Sequence, residues 1–186
     1  SAASDVYKRQ EKKVIIIGEL ARQMRFQGGG SSHIQPTKMT NAIEAIREKG
    51  YQVTYIQGYQ NEKEELGEKQ LQDTIEKLKQ EYRKKDCVIL YFIGLTESYE
   101  GEGYDRKNLK IPQNQEELLA EIAETVGKDH IAAISFGGAP MDFSFEKNVG
   151  AILHMYLGGQ AVGESVADLI SGEVLSLIHI SEPTRH

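Results

Sequence analysis

The run "CVILYFIG" (87–94) decides the fold that this sequence predicts. It is apolar almost without interruption, it is rich in β-branched and aromatic residues, and polar segments bound it on both sides. A short apolar run that does not alternate with polar residues is typical of a strand buried on both faces. Such strands belong to parallel sheets covered by helices, so the run predicts the centre of an α/β domain.

Strands alternate with helices outward from this run in both directions. The last predicted helix before it has apolar residues at 71, 75, 78 and 82, the spacing of one helix face. The alternation predicts an α/β fold with a mostly parallel sheet flanked by helices on both faces, an α/β sandwich. The other predicted strands are 12–20, 51–59, 130–138 and 149–157, and the predicted helices are 40–50, ending at Gly50, 71–85, 114–128 and 159–173.

Two long loops follow the first and third predicted strands, at 21–36 and 95–112. The carboxyl ends of parallel strands meet at one edge of a sheet, and ligands in such folds bind outside that edge. Long loops in compact domains usually serve a function. We therefore expect a binding or catalytic site where these two loops meet.

Composition excludes several classes of function. The chain has 186 residues, 39% of them hydrophobic and 27% charged, as in an ordinary globular domain, and its net charge of −6 argues against a nucleic-acid partner. No apolar run approaches the roughly 20 residues of a membrane span. The only cysteine, Cys87, excludes an intrachain disulfide and a cysteine-based zinc site, and we predict that it lies in the core.

Phosphate-binding and metal-binding motifs are absent. Neither GxxxxGK[ST] nor a GxGxxG between strand and helix occurs, so nucleotide binding rests on the fold alone. His33, His130 and His154 lack the paired spacing of metal ligands, so neither a metal nor another cofactor is predicted. His154 falls inside an apolar strand and is predicted to be a core residue, whereas His33 is a candidate ligand contact.

The second long loop carries the most distinctive chemistry, "EGEGYDR" (100–106). Glu97, Glu100, Glu102 and Asp105 crowd beside Arg106, with glycines that let the backbone turn. One interpretation is a solvated acidic loop with a structural Asp105–Arg106 pair. The other is a general acid, because neighbouring carboxylates or partial desolvation raise the pKa of a glutamate toward neutrality.

The two chain ends are related by reverse complementation. "DVYKRQ" (5–10) can be encoded by GATGTGTATAAGAGACAG, and the reverse complement of that string translates as "LSLIHI" (175–180). This relation is expected of one DNA adapter ligated at both ends of a fragment. We therefore predict that 1–10 and 175–186 are adapter-derived, that 11–174 is the native domain, and that it is truncated at its C-terminal end.

Four motifs together resemble one known domain. In this order they resemble the C-terminal α/β sandwich domain of glycoside hydrolase family 3, in particular its bacterial β-glucosidases. The resemblance extends over nearly all of 11–174. The motifs are "QGGGSSHIQP" (27–36), "GLTESYEGEGYDRKNLKIPQNQEELL" (94–119), "GGAPMD" (137–142) and "GGQAVGESVADLISGEV" (158–174).

The resemblance implies a retaining β-glycosidase, with a β-glucoside or oligosaccharide as substrate and β-xylosides as an open alternative. An aspartate nucleophile is expected on a TIM-like barrel domain that this chain lacks, so the chain alone is expected to be inactive. The resemblance assigns the acid/base role to Glu102, with Glu100 as the alternative. It also makes the barrel domain the expected partner.

The same resemblance suggests roles for other loop residues. Ser31, Ser32 and His33, with Glu100, are expected to contact substrate, while Asp105 and Arg106 brace the acidic loop. Two other functions stay open at this point: a stand-alone sugar- or nucleotide-binding α/β module, and a family member that binds sugars without hydrolysing them.

Overall fold

The fold is a five-stranded, fully parallel sheet with helices on both faces, as the sequence predicts. In the computed structural model, the described residues are 12–22, 41–61, 63, 65–83, 85–94, 111–136, 144–155, 168 and 172. The strand order is β2-β1-β3-β4-β5. The strands are β1 (Lys13–Ile17), β2 (Gln52–Ile56), β3 (Cys87–Gly94), β4 (Ile131–Phe136) and β5 (Ala151–Met155).

β3 is the centre of the sheet. It pairs with β1 from Lys13↔Cys87 onward and with β4 as far as Gly94↔Phe136. Every residue of β3 and of β4 is buried, because helices cover both faces. The predicted bounds of β3 are confirmed, and so is the core position of Cys87, whose Sγ accepts a hydrogen bond from the Arg83 N–H at 3.2 Å.

In the described part of the chain, three α-helices connect the strands. The connection from β1 to β2 moves in one direction across the sheet, and the connections from β2 to β3 and from β3 to β4 move in the other. Because crossovers between parallel strands are right-handed, the first helix lies on the opposite face from the next two. The second and third helices contact each other. The helices are α1 (Ala42–Glu48), α2 (Glu68–Glu81) and α3 (Gln113–Val126), and 3₁₀ turns occur at Glu19–Ala21, Lys128–His130 and Ser144–Asn148.

The ends of α1 follow local sequence signals. The Asn41 side chain accepts a hydrogen bond from the Glu44 N–H at 2.9 Å, which caps the first turn. At the other end, Gly50 adopts φ 100° and its N–H donates to the Arg47 carbonyl at 2.9 Å. Gly50 follows the helix as a stop, but α1 spans Ala42–Glu48 and not the predicted 40–50, and Lys49 is its C-cap.

Several predicted bounds are wrong, for identifiable reasons. β1 ends at Ile17 and not at 20, because Gly18 turns the chain into a 3₁₀ turn. β2 ends at Ile56 and not at 59, and Gly58 follows with φ 75°. β4 begins at Ile131 and β5 at Ala151, later than the predicted 130 and 149, and the predicted loop at 139–148 includes a 3₁₀ turn.

The predicted bounds of α2 are shifted along the chain. The helix begins at Glu68, inside the charged stretch 61–70, since charged residues on its exposed face do not oppose helix formation. It ends at Glu81 because Tyr82 takes extended backbone angles (φ −80°, ψ 131°). α3 begins one residue before its predicted start and ends two before its predicted end, at a glycine with φ 86°.

The C-terminal part of the chain is described at two residues. Asp168 and Gly172 are both helical, in line with the helix predicted at 159–173. Asp168 forms an ion pair with Lys49, the residue that follows α1. Within the described part of the chain, none of the helices is both long and apolar enough to span a bilayer.

Candidate functional site

The site residues predicted from the sequence lie outside the described residues. The structure therefore leaves their predicted roles as predictions. They are Glu100, Glu102, Asp105 and Arg106, which follow β3, and Ser31, Ser32 and His33, which follow β1. The residues from which both segments leave the sheet are described, and these build the base of the candidate site.

Both segments leave from the point where the strand order reverses. From β1 the chain passes to β2 on one side, and every later strand is added on the other side, beginning with β3. β1 and β3 are hydrogen-bonded neighbours, with Ile17 opposite Tyr91. In open α/β sheets, a crevice forms at this reversal and ligands bind there. The topology thus places the starts of the two predicted functional loops side by side.

Close backbone packing defines the end of β1. Gly18 has φ 124°, and a Cβ added there would lie 2.7 Å from the Phe92 carbonyl oxygen and 2.8 Å from the Tyr59 hydroxyl. The absent side chain leaves room for the Tyr59 hydroxyl to donate to the Phe92 carbonyl at 2.5 Å. Burial raises the pKa of Tyr59 well above its ordinary value, so this hydroxyl stays a donor.

The end of β3 is held even more tightly. A Cβ added at Gly94 would lie 2.1 Å from the Phe136 carbonyl oxygen, so only glycine fits against β4 here. The Gly94 N–H donates to Oε1 of Gln115 at 2.9 Å, and the Tyr91 hydroxyl donates to the Gln115 carbonyl at 2.6 Å. The exit point of the acidic segment is therefore fixed by the neighbouring strand and by α3.

A second, partly buried network joins the ends of β1 and β2 to the start of α3. Oε2 of Glu19 accepts from the Asn61 N–H at 2.5 Å. Nδ2 of Asn114 donates to the carbonyls of Gln60 (3.1 Å) and Lys63 (2.6 Å). These bonds satisfy backbone groups in the turn after β2, which a loop at a sheet edge would otherwise leave unpaired.

His154 lies on β5 beside β4. Its Nδ1 is 3.0 Å from the Ser135 hydroxyl, and desolvation lowers its pKa. The residue is only partly buried, so the predicted core position is wrong, because β5 stands at the end of the described strand order and is partly exposed along its length. His130 packs edge-on against Tyr82 at the opposite edge of the sheet. Among the described residues, no three His, Cys, Asp or Glu side chains come together as a metal site requires.

The polar residues that build this base were not predicted from the sequence. Asn114 and Gln115 lie one helical turn before Leu118 and Leu119, and all four side chains are buried. The spacing i, i+4 places each pair on one helix face, so the sequence contained a signal that two amides lie on the core side of α3. Buried amides need hydrogen-bond partners, which is how Gln115 could have been found.

The described base contributes support and no reacting group. The buried side chains that hold the strand ends, Tyr59, Tyr91 and Gln115, carry neutral hydroxyls and an amide. The carboxylate of Glu19 holds a backbone N–H. Such groups fix backbone position and exclude water.

The family assignment follows from sequence comparison. The profile described as "Glycosyl hydrolase family 3 C-terminal domain" matches residues 7–176, which is most of the chain. This chain belongs to glycosyl hydrolase family 3. The match also confirms that the family 3 C-terminal domain, with its α/β sandwich fold, is the correct interpretation of the four motifs.

Characterised family 3 relatives match over nearly the same stretch. Thermostable beta-glucosidase B of Acetivibrio thermocellus is 34% identical over 164 residues, 87% of this chain and 21% of the relative. An exo-alpha-(1->6)-L-arabinopyranosidase of Bifidobacterium longum is 36% identical over 163 residues, 88% of this chain and 21% of the relative. The chain thus spans about a fifth of the length of these family 3 proteins.

Solved family 3 structures share the fold. The beta-glucosidase of Bifidobacterium adolescentis superposes with a TM-score of 0.76 at 34% identity, covering 89% of this chain and 23% of that one. The beta-glucosidase of Listeria innocua gives a TM-score of 0.73 at 21% identity, covering 88% of this chain and 22% of that one. At that lower identity the likeness concerns the fold alone.

Proposed function

We propose that this chain is part of a retaining β-glycosidase, a β-glucosidase in the first instance, in which it supplies the general acid/base. One observation carries the proposal: the segment containing "EGEGYDR" begins at Gly94, beside the reversal point of a family 3 sheet. Glu102 is the proposed acid/base. The nucleophilic aspartate belongs to a barrel domain outside this chain.

The proposed reaction has two steps. The aspartate attacks the anomeric carbon while Glu102 protonates the departing oxygen, and a glycosyl–enzyme ester forms. Glu102 then removes a proton from water, which hydrolyses the ester and releases the sugar. The two carboxyl groups should lie about 5–5.5 Å apart in the assembled enzyme. Ser31, Ser32, His33 and Glu100 are proposed to contact the substrate, and Asp105 and Arg106 to brace the loop.

A first experiment tests the gene context. Sequencing the source DNA outward past codons 11 and 174 should reveal a barrel-encoding region and a different C-terminal continuation. If the natural reading frame instead contains 1–10 and 175–186, the adapter prediction is wrong and a stand-alone binding module becomes the better proposal. The 186-residue chain itself is expected to hydrolyse no β-glucoside, because a single carboxylate cannot serve as both nucleophile and acid/base.

The decisive experiment is Glu102→Gln in the full-length protein. Loss of the acid/base should lower kcat/KM by about 10²–10⁴ for a β-glucoside with a poor leaving group. A dinitrophenyl β-glucoside needs no protonation of its leaving group, so its first step should be little affected. Added azide should restore turnover, since it attacks the glycosyl–enzyme without a general base.

Glu100→Gln is the matched control. It removes a carboxylate from the same segment two residues away and should not produce the leaving-group dependence. If Glu100→Gln shows that dependence and Glu102→Gln does not, the role belongs to Glu100. The substrate panel should pair each β-glucoside with an α-L-arabinopyranoside, because relatives named for both sugars match this chain with similar identity.

A further inference from the structure

Gln115 has a buried polar side chain that the start of α3 does not need. It is the third residue of the helix and only 1% exposed. A glutamine at this position often bonds back to the N–H of the cap residue. The cap here is Pro112, which has no N–H, so the Gln115 side chain is available for another partner.

That partner is the last residue of β3. Oε1 of Gln115 accepts from the Gly94 N–H at 2.9 Å in a buried environment. The Gln115 N–H donates to the Pro112 carbonyl at 3.0 Å, where the chain returns to the helix. One residue therefore contacts both the exit and the return of the segment between β3 and α3.

The rest of the carboxamide is not satisfied within the helix. Nε2 is buried and has no hydrogen-bond partner in the part of the chain that the structure describes. A methionine of similar size would avoid this cost, since it has no donor to satisfy. The stability of α3 alone thus does not account for an amide at this position.

We infer that Gln115 is a positioning residue for catalysis: it fixes Gly94, from which the acidic segment leaves the sheet, and so sets where Glu102 meets the leaving-group oxygen. This inference rests on the proposed function. Gln115 itself does not touch the substrate. Its effect is geometric, and a displacement of about 1 Å can lower a rate by about 10²-fold.

The test is Gln115→Met in the full-length enzyme, read as a ratio. The ratio compares kcat/KM for a β-glucoside with a poor leaving group against that for a dinitrophenyl β-glucoside. Both values scale with the amount of folded enzyme, so partial unfolding cancels. The variant should lower the ratio about 10-fold or more, because only the first substrate needs a correctly placed acid.

Three further variants keep the result interpretable. Gln113→Met makes the same change at an exposed site whose side chain bonds to Glu117, and should leave the ratio unchanged. Gln115→Glu retains an acceptor for the Gly94 N–H and should restore the ratio toward wild type. If Gln115→Met does not fold, Tyr91→Phe removes the hydroxyl that holds the Gln115 carbonyl and should lower the ratio by a smaller factor.

The outcomes separate this inference from the proposed function. If Glu102→Gln shows the leaving-group dependence but Gln115→Met only lowers the melting temperature, the role of Gln115 is structural and the inference is overturned. The same holds if Gln115→Glu is as impaired in the ratio as Gln115→Met. If neither Glu102→Gln nor Glu100→Gln shows the dependence, the proposed function fails first.

Discussion

At the amino edge of the sheet, helices and strands are joined by short connections, residues 49–51, 82–86 and 127–130. At the carboxyl edge the corresponding connections are 18–41, 57–67 and 95–112. The same strands form both edges, and their pairing register is continuous from one edge to the other. The difference lies in what the chain does after it leaves a strand.

The two edges also use different interactions. At the amino edge, ion pairs lie near the solvent, between Lys13 and Glu81 and between Lys12 and Asp86 (3.5 Å). At the carboxyl edge, neutral buried groups hold the backbone, with Tyr59, Tyr91 and Gln115 as the main partners. Solvated charges tolerate loss of a partner and buried neutral groups do not. Sensitivity to mutation should therefore concentrate at the carboxyl edge.

Gly94→Ala should have the largest effect and is the strongest test of this contrast. The added Cβ would lie 2.1 Å from a backbone carbonyl oxygen of β4, so two central strands would have to separate. We expect a loss of about 4 kcal/mol or more in the free energy of unfolding, measured by denaturant titration. Gly67→Ala has open space around its Cβ and loses only the N-cap preference for glycine, so it should cost about 1 kcal/mol or less. Similar results for both glycines would contradict the contrast.

Tyr59→Phe probes a single buried hydrogen bond at the carboxyl edge. The substitution removes the donor to the Phe92 carbonyl without a large change in packing. We expect a loss of about 1–2 kcal/mol in the free energy of unfolding. The half-buried Tyr55 offers the control, because water already reaches its side chain. Tyr55→Phe should therefore cost less than about 0.5 kcal/mol. Equal losses would mean that the hydrogen bond to Phe92 adds nothing.

His154 should make the carboxyl edge sensitive to acid. Desolvation lowers its pKa in the folded state, so the unfolded chain binds a proton more readily. Stability should be unaffected by this group above about pH 6.5, its unfolded pKa, and should fall as the pH drops from there through the folded pKa. His154→Asn should flatten that part of the stability profile relative to His130→Asn. Identical profiles for the two variants would exclude His154 as the source.

Glu81 provides the matching test at the amino edge, with the smallest expected effect. The hydrogen bond from Lys13 is the main cause that lowers the pKa of this carboxylate below 4.5. The stabilisation should be present above that pH, be lost as the pH falls through the folded pKa, and weaken in high salt. Glu81→Gln should remove this small increment. An effect as large as that of Tyr59→Phe would mean that the two edges do not differ.

Much of the fold could be predicted because a strand that is buried on both faces has an uninterrupted apolar sequence. The uninterrupted run at β3 gave its correct bounds, and Gly50 gave the approximate end of α1. Strand ends were less predictable, since β1 and β2 stop where glycines allow a turn that apolar composition does not reveal. The start of α2 was missed because charged residues suit a solvated loop and an exposed helix face equally well.

The sheet edge from which the two long loops leave was predictable, whereas the groups that hold that edge were not. The position of the two long loops followed from strand order and from their length. The supporting residues did not, because Gln115 finds its partner at Gly94, which is distant in the sequence, and no local pattern encodes that pairing. The burial of Asn114 was readable from Leu118, but its acceptors lie on the turn after β2.

The contacts of Gln115 have a consequence for how such a domain can change over generations. The segment after β3 starts at Gly94 and ends at Ile111, and both of these positions are anchored in the core. The entropy of closing a loop rises only slowly with its length. A longer or shorter segment could thus replace this one between the same two anchors. The exchange would alter the chemistry that the segment supplies without disturbing the strand register.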